Sequence, residues 1–215
     1  MKSTQTIQPT IFLIGGSNIF AETAAEVDKK LVEILPTKSL LVLDLSTDDL
    51  SQRASVKPIL RKYFMSAGLK DLQFFSDIMN SGQSNSELLA NQNLYLPGGD
   101  TETLLKNLKQ HKLVDLILSH NGILAGNSAG AIALCKDAIL TPDQDILELQ
   151  ILEGLGKIDF SVDPHYEDSH DIDLIPLSYE RKVYGLTEDS AMVLNGAIEF
   201  FGQVYEFNNG IKILR

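Results

Sequence analysis

Apolar and polar positions come in blocks that predict strand, helix, strand, helix over the first two thirds of this chain. Residues 10–14 form a continuous apolar run that stops at Gly15-Gly16-Ser17, the pattern of a buried parallel strand. Phe20, Ala24, Val27, Leu31 and Ile34-Leu35 then fall at helical spacing, and Pro36 closes that helix. Residues 39–45 read as a second buried strand. Ser46-Thr47-Asp48-Asp49 supplies capping oxygens for a helix over 50–67 that ends at Gly68, and Pro58 predicts a kink or a split into two pieces. A short strand at 72–75, a polar loop at 81–86 and a short helical piece near Leu88-Leu89 follow. Residues 93–96 run as a strand into Pro97-Gly98-Gly99-Asp100-Thr101. Leu104, Leu105 and Leu108 mark a helix that Asp100 or Thr101 can cap, and 113–118 continue helical.

The pattern loosens after Leu134. Residues 138–141 and 157–162 read as strands, Pro142-Asp143-Gln144-Asp145 as a loop, and the acidic stretch 167–173 as exposed. The tail is β-rich, with strands at 183–186, 191–194, 198–201 and 204–207. Asn208-Asn209-Gly210 then turns the chain into a hairpin partner at 211–214. The early β-α alternation predicts an α/β fold: a doubly wound, mostly parallel sheet with flanking helices, followed by a hairpin-rich C-terminal tail. No repeat, linker or low-complexity tract divides residues 1–215, so one domain is expected.

The candidate chemistry sits in mid-chain. Gly126-Asn127-Ser128-Ala129-Gly130 lies between an apolar strand and a helix-forming run, and matches the Gly-x-Ser-x-Gly nucleophile elbow. A serine on so sharp a turn needs neighbours with little side chain. Its hydroxyl then stands at the carboxyl end of the sheet, and the Ala129 N–H, at a helix N-terminus, can stabilise an oxyanion. Gly98-Gly99 follows another strand and exposes bare backbone N–H groups at the same edge. Gly15-Gly16 lacks the Gly-Lys-Ser/Thr ending of a phosphate loop and reads as a plain strand-helix turn.

A serine nucleophile needs a base. His165 ends a strand in Asp163-Pro164-His165-Tyr166, on the edge where Ser128 belongs. His111 reads as solvated surface, His120 falls at the amino end of the elbow strand, and His170 lies among carboxylates that would solvate it. The carboxylate that would orient His165 is left open among Asp143, Asp145, Glu188 and Asp189. Cys135, in apolar company, reads as a core residue.

Composition narrows the setting. A net charge of −11 over 215 residues argues against a nucleic-acid partner. No apolar run is long enough for a membrane span, and the polar N-terminus does not read as a signal peptide. One cysteine fits a reducing compartment, so a cytoplasmic location is expected.

The motifs Leu96-Pro97-Gly98-Gly99-Asp100-Thr101, Gly126-Asn127-Ser128-Ala129-Gly130-Ala131 and Asp163-Pro164-His165-Tyr166, in this order, resemble the dipeptidase E and cyanophycinase family of serine peptidases. The tail around Gly185-Leu186-Thr187-Glu188-Asp189-Ser190-Ala191 resembles it too. The resemblance implies a sheet like that of class I glutamine amidotransferases, Ser128 as nucleophile, His165 as general base, and an oxyanion hole from the N–H groups of Gly99 and Ala129. It points to Asp143 as the triad acid, with Glu188 and Asp145 as alternatives. It implies hydrolysis of short peptides, a reaction that needs no metal or organic cofactor; the oligomeric state is left open between monomer and homodimer. The family's aspartyl dipeptidases carry a Gly-Glu-Thr-Arg-like stretch after the histidine, whose arginine is expected to hold a substrate carboxylate. That stretch is shorter and acidic here, and Arg181 is the nearby guanidinium. Two other readings are an α/β-hydrolase-type esterase and an inactive binding or regulatory homologue. A glutaminase is disfavoured, because that chemistry places cysteine at the elbow.

Overall fold

The computed structural model describes residues 9–17, 19, 23–142 and 146–215. Its first half alternates as the apolar blocks predict: β1 (Thr10–Ile14), α1 (Ala25–Ile34), β2 (Ser39–Val42), α2 (Leu50–Ser66), β3 (Asp71–Phe74), α3 (Phe75–Ile78), α4 (Asn85–Leu89), β4 (Leu94–Leu96), α5 (Thr101–Gln110), α6 (Val114–Leu118), β5 (Ile123–Asn127) and α7 (Ala129–Leu134). The second half holds β6 (Asp137–Leu140), β7 (Gln150–Glu153), β8 (Ser161–Pro164), a 3-10 turn at Asp168–His170, α8 (Asp171–Leu177), β9 (Val183–Leu186), β10 (Ala191–Leu194), β11 (Ile198–Phe201), β12 (Val204–Asn208) and β13 (Ile211–Leu214). Phe20, the expected start of the first helix, lies outside the described residues.

The large sheet has the order β11-β10-β1-β5-β4-β2-β3. Its β1, β5, β4, β2 and β3 run parallel, and β10 joins β1 antiparallel. Successive side chains of a strand point to opposite faces. Ile11 and Leu13 accordingly enter one core with α5, α6 and α7, while Phe12 and Ile14 enter another with α1 and α2. Burial on both faces explains why these strands read as unbroken apolar runs. The β-rich tail is divided. Strands β10 and β11 extend the large sheet, whereas β9, β12 and β13 form a second sheet with β8, in the order β13-β12-β9-β8. Asn209 and Gly210 both take positive φ, 52° and 76°, as a tight hairpin turn requires.

Three local expectations change. Helix α2 runs as one element through Pro58, so the split into two pieces does not occur. The acidic stretch 167–173 is not simply exposed: Leu174 and Leu177 are buried, which draws it into the 3-10 turn and α8. Lys212 fixes this segment by pairing with Asp168 at 2.6 Å and Asp171 at 2.9 Å, while its ammonium lies 5.1 Å from the centre of the Tyr166 ring. Strand β7, unforeseen in the sequence, pairs antiparallel with β6.

Asp28 on α1 is a buried carboxyl; one oxygen accepts from the Tyr63 hydroxyl at 2.7 Å and the other has no partner among the described residues. Burial pushes its pKa up from 3.8 to about 6, against the lowering effect of the Tyr63 hydrogen bond. A carboxyl that ionises less readily folded than unfolded favours folding at low pH, and that contribution is lost as pH rises from 3.8 through about 6. Asp28→Asn is therefore expected to match the wild type near pH 4 and to exceed its stability at neutral pH by about 2–3 kcal/mol in denaturant unfolding.

Candidate active site

Strand β5 delivers Ser128 to a sharp turn. Its backbone takes φ 49° and ψ −114°, a region that non-glycine residues enter at a cost. The neighbours must be small: a Cβ at Gly126 would lie 2.6 Å from the Gly130 carbonyl oxygen, and one at Gly130 would lie 2.1 Å from that of Leu96. The Ser128 N–H donates to the Ile14 carbonyl at 3.1 Å, tying the turn to the end of β1.

Ser128 Oγ lies 2.9 Å from His165 Nε2, and His165 Nδ1 lies 3.1 Å from Glu188 Oε1. A carboxylate on Nδ1 holds the proton there and leaves Nε2 to accept from the serine hydroxyl, the arrangement in which a hydroxyl can attack a carbonyl as it loses its proton. Serine, histidine and Glu188 come from three turns after β5, β8 and β9. Of the other carboxylates left open by the sequence, Asp143 and Asp145 lie outside the described residues, and Asp189 accepts from the Thr187 hydroxyl at 2.9 Å.

The end of β1 holds these turns together. The Gly15 N–H donates to Ser190 O at 2.9 Å, fixing the turn that carries Glu188, and Gly15 O accepts from the His165 N–H at 2.6 Å. Gly16, at φ 125°, packs against the imidazole, and a Cβ there would come within 2.2 Å of His165 Cε1. Gly15-Gly16 is thus a platform for the histidine, a role the sequence reading missed; its one signal was a glycine pair after a buried strand.

Gly99 sits beside the serine on a loop clamped by Ser46. Ser46 Oγ donates to Gly98 O at 2.7 Å, and the Asp100 N–H donates to Ser46 O at 3.1 Å. The 98–99 peptide is trans, so the Gly99 N–H points opposite to the Gly98 carbonyl, away from Ser46 on the β2 side. Strand β5 and Ser128 lie on that other side, and a Cβ at Gly98 would be 3.4 Å from Ser128 Cβ. Two features demand glycine at 99: its φ is 127°, and a Cβ there would meet Ser46 Oγ at 2.6 Å. The Ala129 N–H opens α7 and has no carbonyl to bond within that helix. Both donors therefore flank the serine.

Ser128 and His165 open onto a cleft of about 780 Å³ whose wall includes Thr141, Asp163, Glu167 and His170. Asp163 is 1% exposed; it accepts from Thr141 Oγ1 and pairs with His170 Nδ1, each at 2.7 Å. His170 is thus a half-buried, carboxylate-paired imidazole on the cleft wall, not a solvated surface histidine. Arg181 is not brought to the site. It pairs with Asp137 at 3.0 Å beside the amino ends of β8 and β9, while His165 and Glu188 follow their carboxyl ends. His120 sits at the amino end of β5, and burial lowers its pKa. Cys135 is fully buried with its thiol pushed up to about 12, an inert core residue.

The chain thus has a mixed α/β fold with a mostly parallel central sheet, and its serine, histidine and carboxylate meet where strands β5, β8 and β9 end. The model of Peptidase family S51 matches residues 11–198, and the chain belongs to that family. Peptidase E of Nostoc sp. is 29% identical over 104 residues, which cover 46% of this chain and 43% of that protein. A probable alpha-aspartyl dipeptidase of Drosophila melanogaster is 31% identical over 81 residues, 36% of this chain and 34% of that protein. The chain thus spans less than half the length of the curated relatives it matches. A peptidase from an acI-B1 actinobacterium has a TM-score of 0.64 at 21% identity, with 98% of both chains covered. A putative peptidase E from Listeria monocytogenes has a TM-score of 0.61 at 21% identity, covering 90% of this chain and 98% of that one. Both share the fold. Among the described residues no helix is long and apolar enough to cross a membrane.

The Asp163 contact, above all other influences, raises the His170 pKa over 6.5, while burial opposes it and Glu167 and Asp173 add to it. In an NMR titration His170 should titrate above 6.5, and Asp163→Asn should bring that value down. Asp163 would then hold His170 as a cation whose stabilising contact is lost as pH rises through the raised value.

Proposed function

We propose that the chain is a serine peptidase acting on short peptides, of dipeptidase type. The observation that carries this reading is the 2.9 Å and 3.1 Å chain from Ser128 Oγ through His165 to Glu188, beside two backbone donors. Ser128 Oγ attacks the scissile carbonyl while His165 Nε2 takes its proton, and Gly99 and Ala129 N–H stabilise the oxyanion. The imidazolium, steadied by Glu188, gives the proton to the leaving amine, and the C–N bond breaks. Water, deprotonated by the same imidazole, attacks the acyl-serine and frees Ser128. The reading draws its peptide substrate from family S51 and the name of the Nostoc relative, and its dipeptidase character from the name of the Drosophila relative.

Glu188 is our assignment for the triad acid in place of Asp143, because its carboxylate meets Nδ1 directly. On a dipeptide panel with amine release as readout, Ser128→Ala should lose about 10⁴-fold or more in kcat while its melting temperature holds. A fully active, folded Ser128→Ala protein would overturn the mechanism. Glu188→Gln should lose about 10²- to 10⁴-fold in kcat with KM little changed. Asp143→Asn should stay within a few-fold of wild type; the reverse order of the two losses would return the acid to Asp143.

A further inference from the structure

Part of the cleft around Ser128 is apolar, with Ile132, Leu140 and Pro142 in its lining. Ile132 follows Ser128 by four residues along α7, which places it on the same face of that helix. Leu140 ends β6 and belongs with Ile132 to one apolar cluster; Ile132 is 8% exposed and Leu140 half-buried. The next residue, Thr141, donates its hydroxyl to Asp163 at 2.7 Å, which ties the end of β6 to β8, the strand that leads to His165. An apolar surface is therefore fixed beside the nucleophile and faces the space a substrate would fill. A side chain that covers it gains by leaving water.

The charges of the cleft point the same way. Its carboxylates are Asp100, which caps α5 by accepting from the Thr103 N–H at 2.7 Å, Asp163 and the exposed Glu167. Among the described residues no lysine or arginine lines it. Between residues 137 and 180 the sequence holds one lysine, Lys157, and no arginine. The Lys157 ammonium donates to the Leu118 and His120 carbonyls at 2.6 and 3.0 Å, beside the amino end of β5. Lys212 is taken up by Asp168 and Asp171, and Arg181 by Asp137. The charge of a His170 imidazolium is balanced by Asp163 at 2.7 Å, and Glu167 lines the same cleft. An acidic side chain placed here would give up water and meet carboxylates in place of a lysine or arginine.

We infer that the cleft selects short peptides with an apolar side chain next to the scissile bond, seated on Ile132 and Leu140, and disfavours an acidic one. The inference rests on the peptidase reading and deepens it by naming the substrate class. The apolar residue is either the one that acylates Ser128 or the one that leaves with the amine.

Two sets of dipeptides separate these positions: Leu-Ala, Asn-Ala and Asp-Ala, and Ala-Leu, Ala-Asn and Ala-Asp. For each, kcat and KM are measured for wild type, Leu140→Ala and Leu140→Lys. In the wild type one set should favour its leucine member over its aspartate member by about 10- to 100-fold in kcat/KM, with asparagine between them. Leu140→Ala should shrink that ratio to a few-fold, through KM. Leu140→Lys should raise the aspartate member of the same set and lower the leucine member; if it fails to fold, Leu140→Ala still reads the seat. Calorimetric titration of Ser128→Ala with the same peptides, with and without Leu140→Ala, reads binding without turnover. Leu140-dependent binding of a leucine peptide without wild-type hydrolysis would keep the seat and remove the peptidase reading. Hydrolysis that favours the aspartate member, shows no preference, or keeps its leucine preference in Leu140→Ala would overturn the seat and leave the peptidase standing. Neither hydrolysis nor binding would overturn both.

Discussion

Three consecutive residues at the end of β1 hold the candidate site. Ile14 O takes the Ser128 N–H, Gly15 bonds both the Glu188 turn and the His165 strand end, and Gly16 packs against the imidazole. The serine, imidazole and carboxylate come from separate elements, yet each is positioned against one short backbone segment. Because β1 lies inside the large sheet, between β10 and β5, that segment is braced on both sides. The two positive-φ residues, Ser128 and His165, are each held by a backbone hydrogen bond to this segment, at 3.1 Å and 2.6 Å. Local strain at the reacting groups is compensated by the rigidity of the strand end.

The same economy governs the surroundings of the serine. Ser46 turns one peptide of the loop after β4, and a trans bond carries that orientation to the Gly99 N–H. Asp163 and Thr141 hold His170 on the cleft wall, and Lys212 fastens Tyr166, the residue after His165.

Much of this was legible in the residue order. Continuous apolar runs revealed the parallel strands because such strands are buried on both faces. The spelling Gly-x-Ser-x-Gly revealed the turn at Ser128, since only small residues clear the facing helix and strand. His165 was matched to Ser128 as a residue at a strand's carboxyl end; the two do meet, but β8 belongs to the second sheet, so they share no single sheet edge. The identity of the carboxylate was not legible: several acids were eligible, and the choice depends on how the β9–β10 turn bonds to Gly15. Gly15-Gly16 read as a plain turn because backbone packed against a ring leaves no signature beyond the glycines. His170 read as solvated because its partner, Asp163, is near in sequence but buried in the fold. Arg181 was the nearest guanidinium along the chain, but its pairing with Asp137 keeps it by the amino ends of β8 and β9, a partnership that its place in the sequence does not reveal.

The antiparallel pairing of β10 with β1 has a bearing on the protein's synthesis. Ile11 meets Leu194, so the strand that flanks β1 emerges from the ribosome nearly the whole chain later. Until then the serine turn can form from β1, β4 and β5, but Glu188 has no Ser190–Gly15 bond to anchor its turn. A contact between segments so distant in sequence forms late, because the intervening loop must close first. The Ser128 and His165 turns can therefore bond to the end of β1 before the turn that carries Glu188 is anchored there.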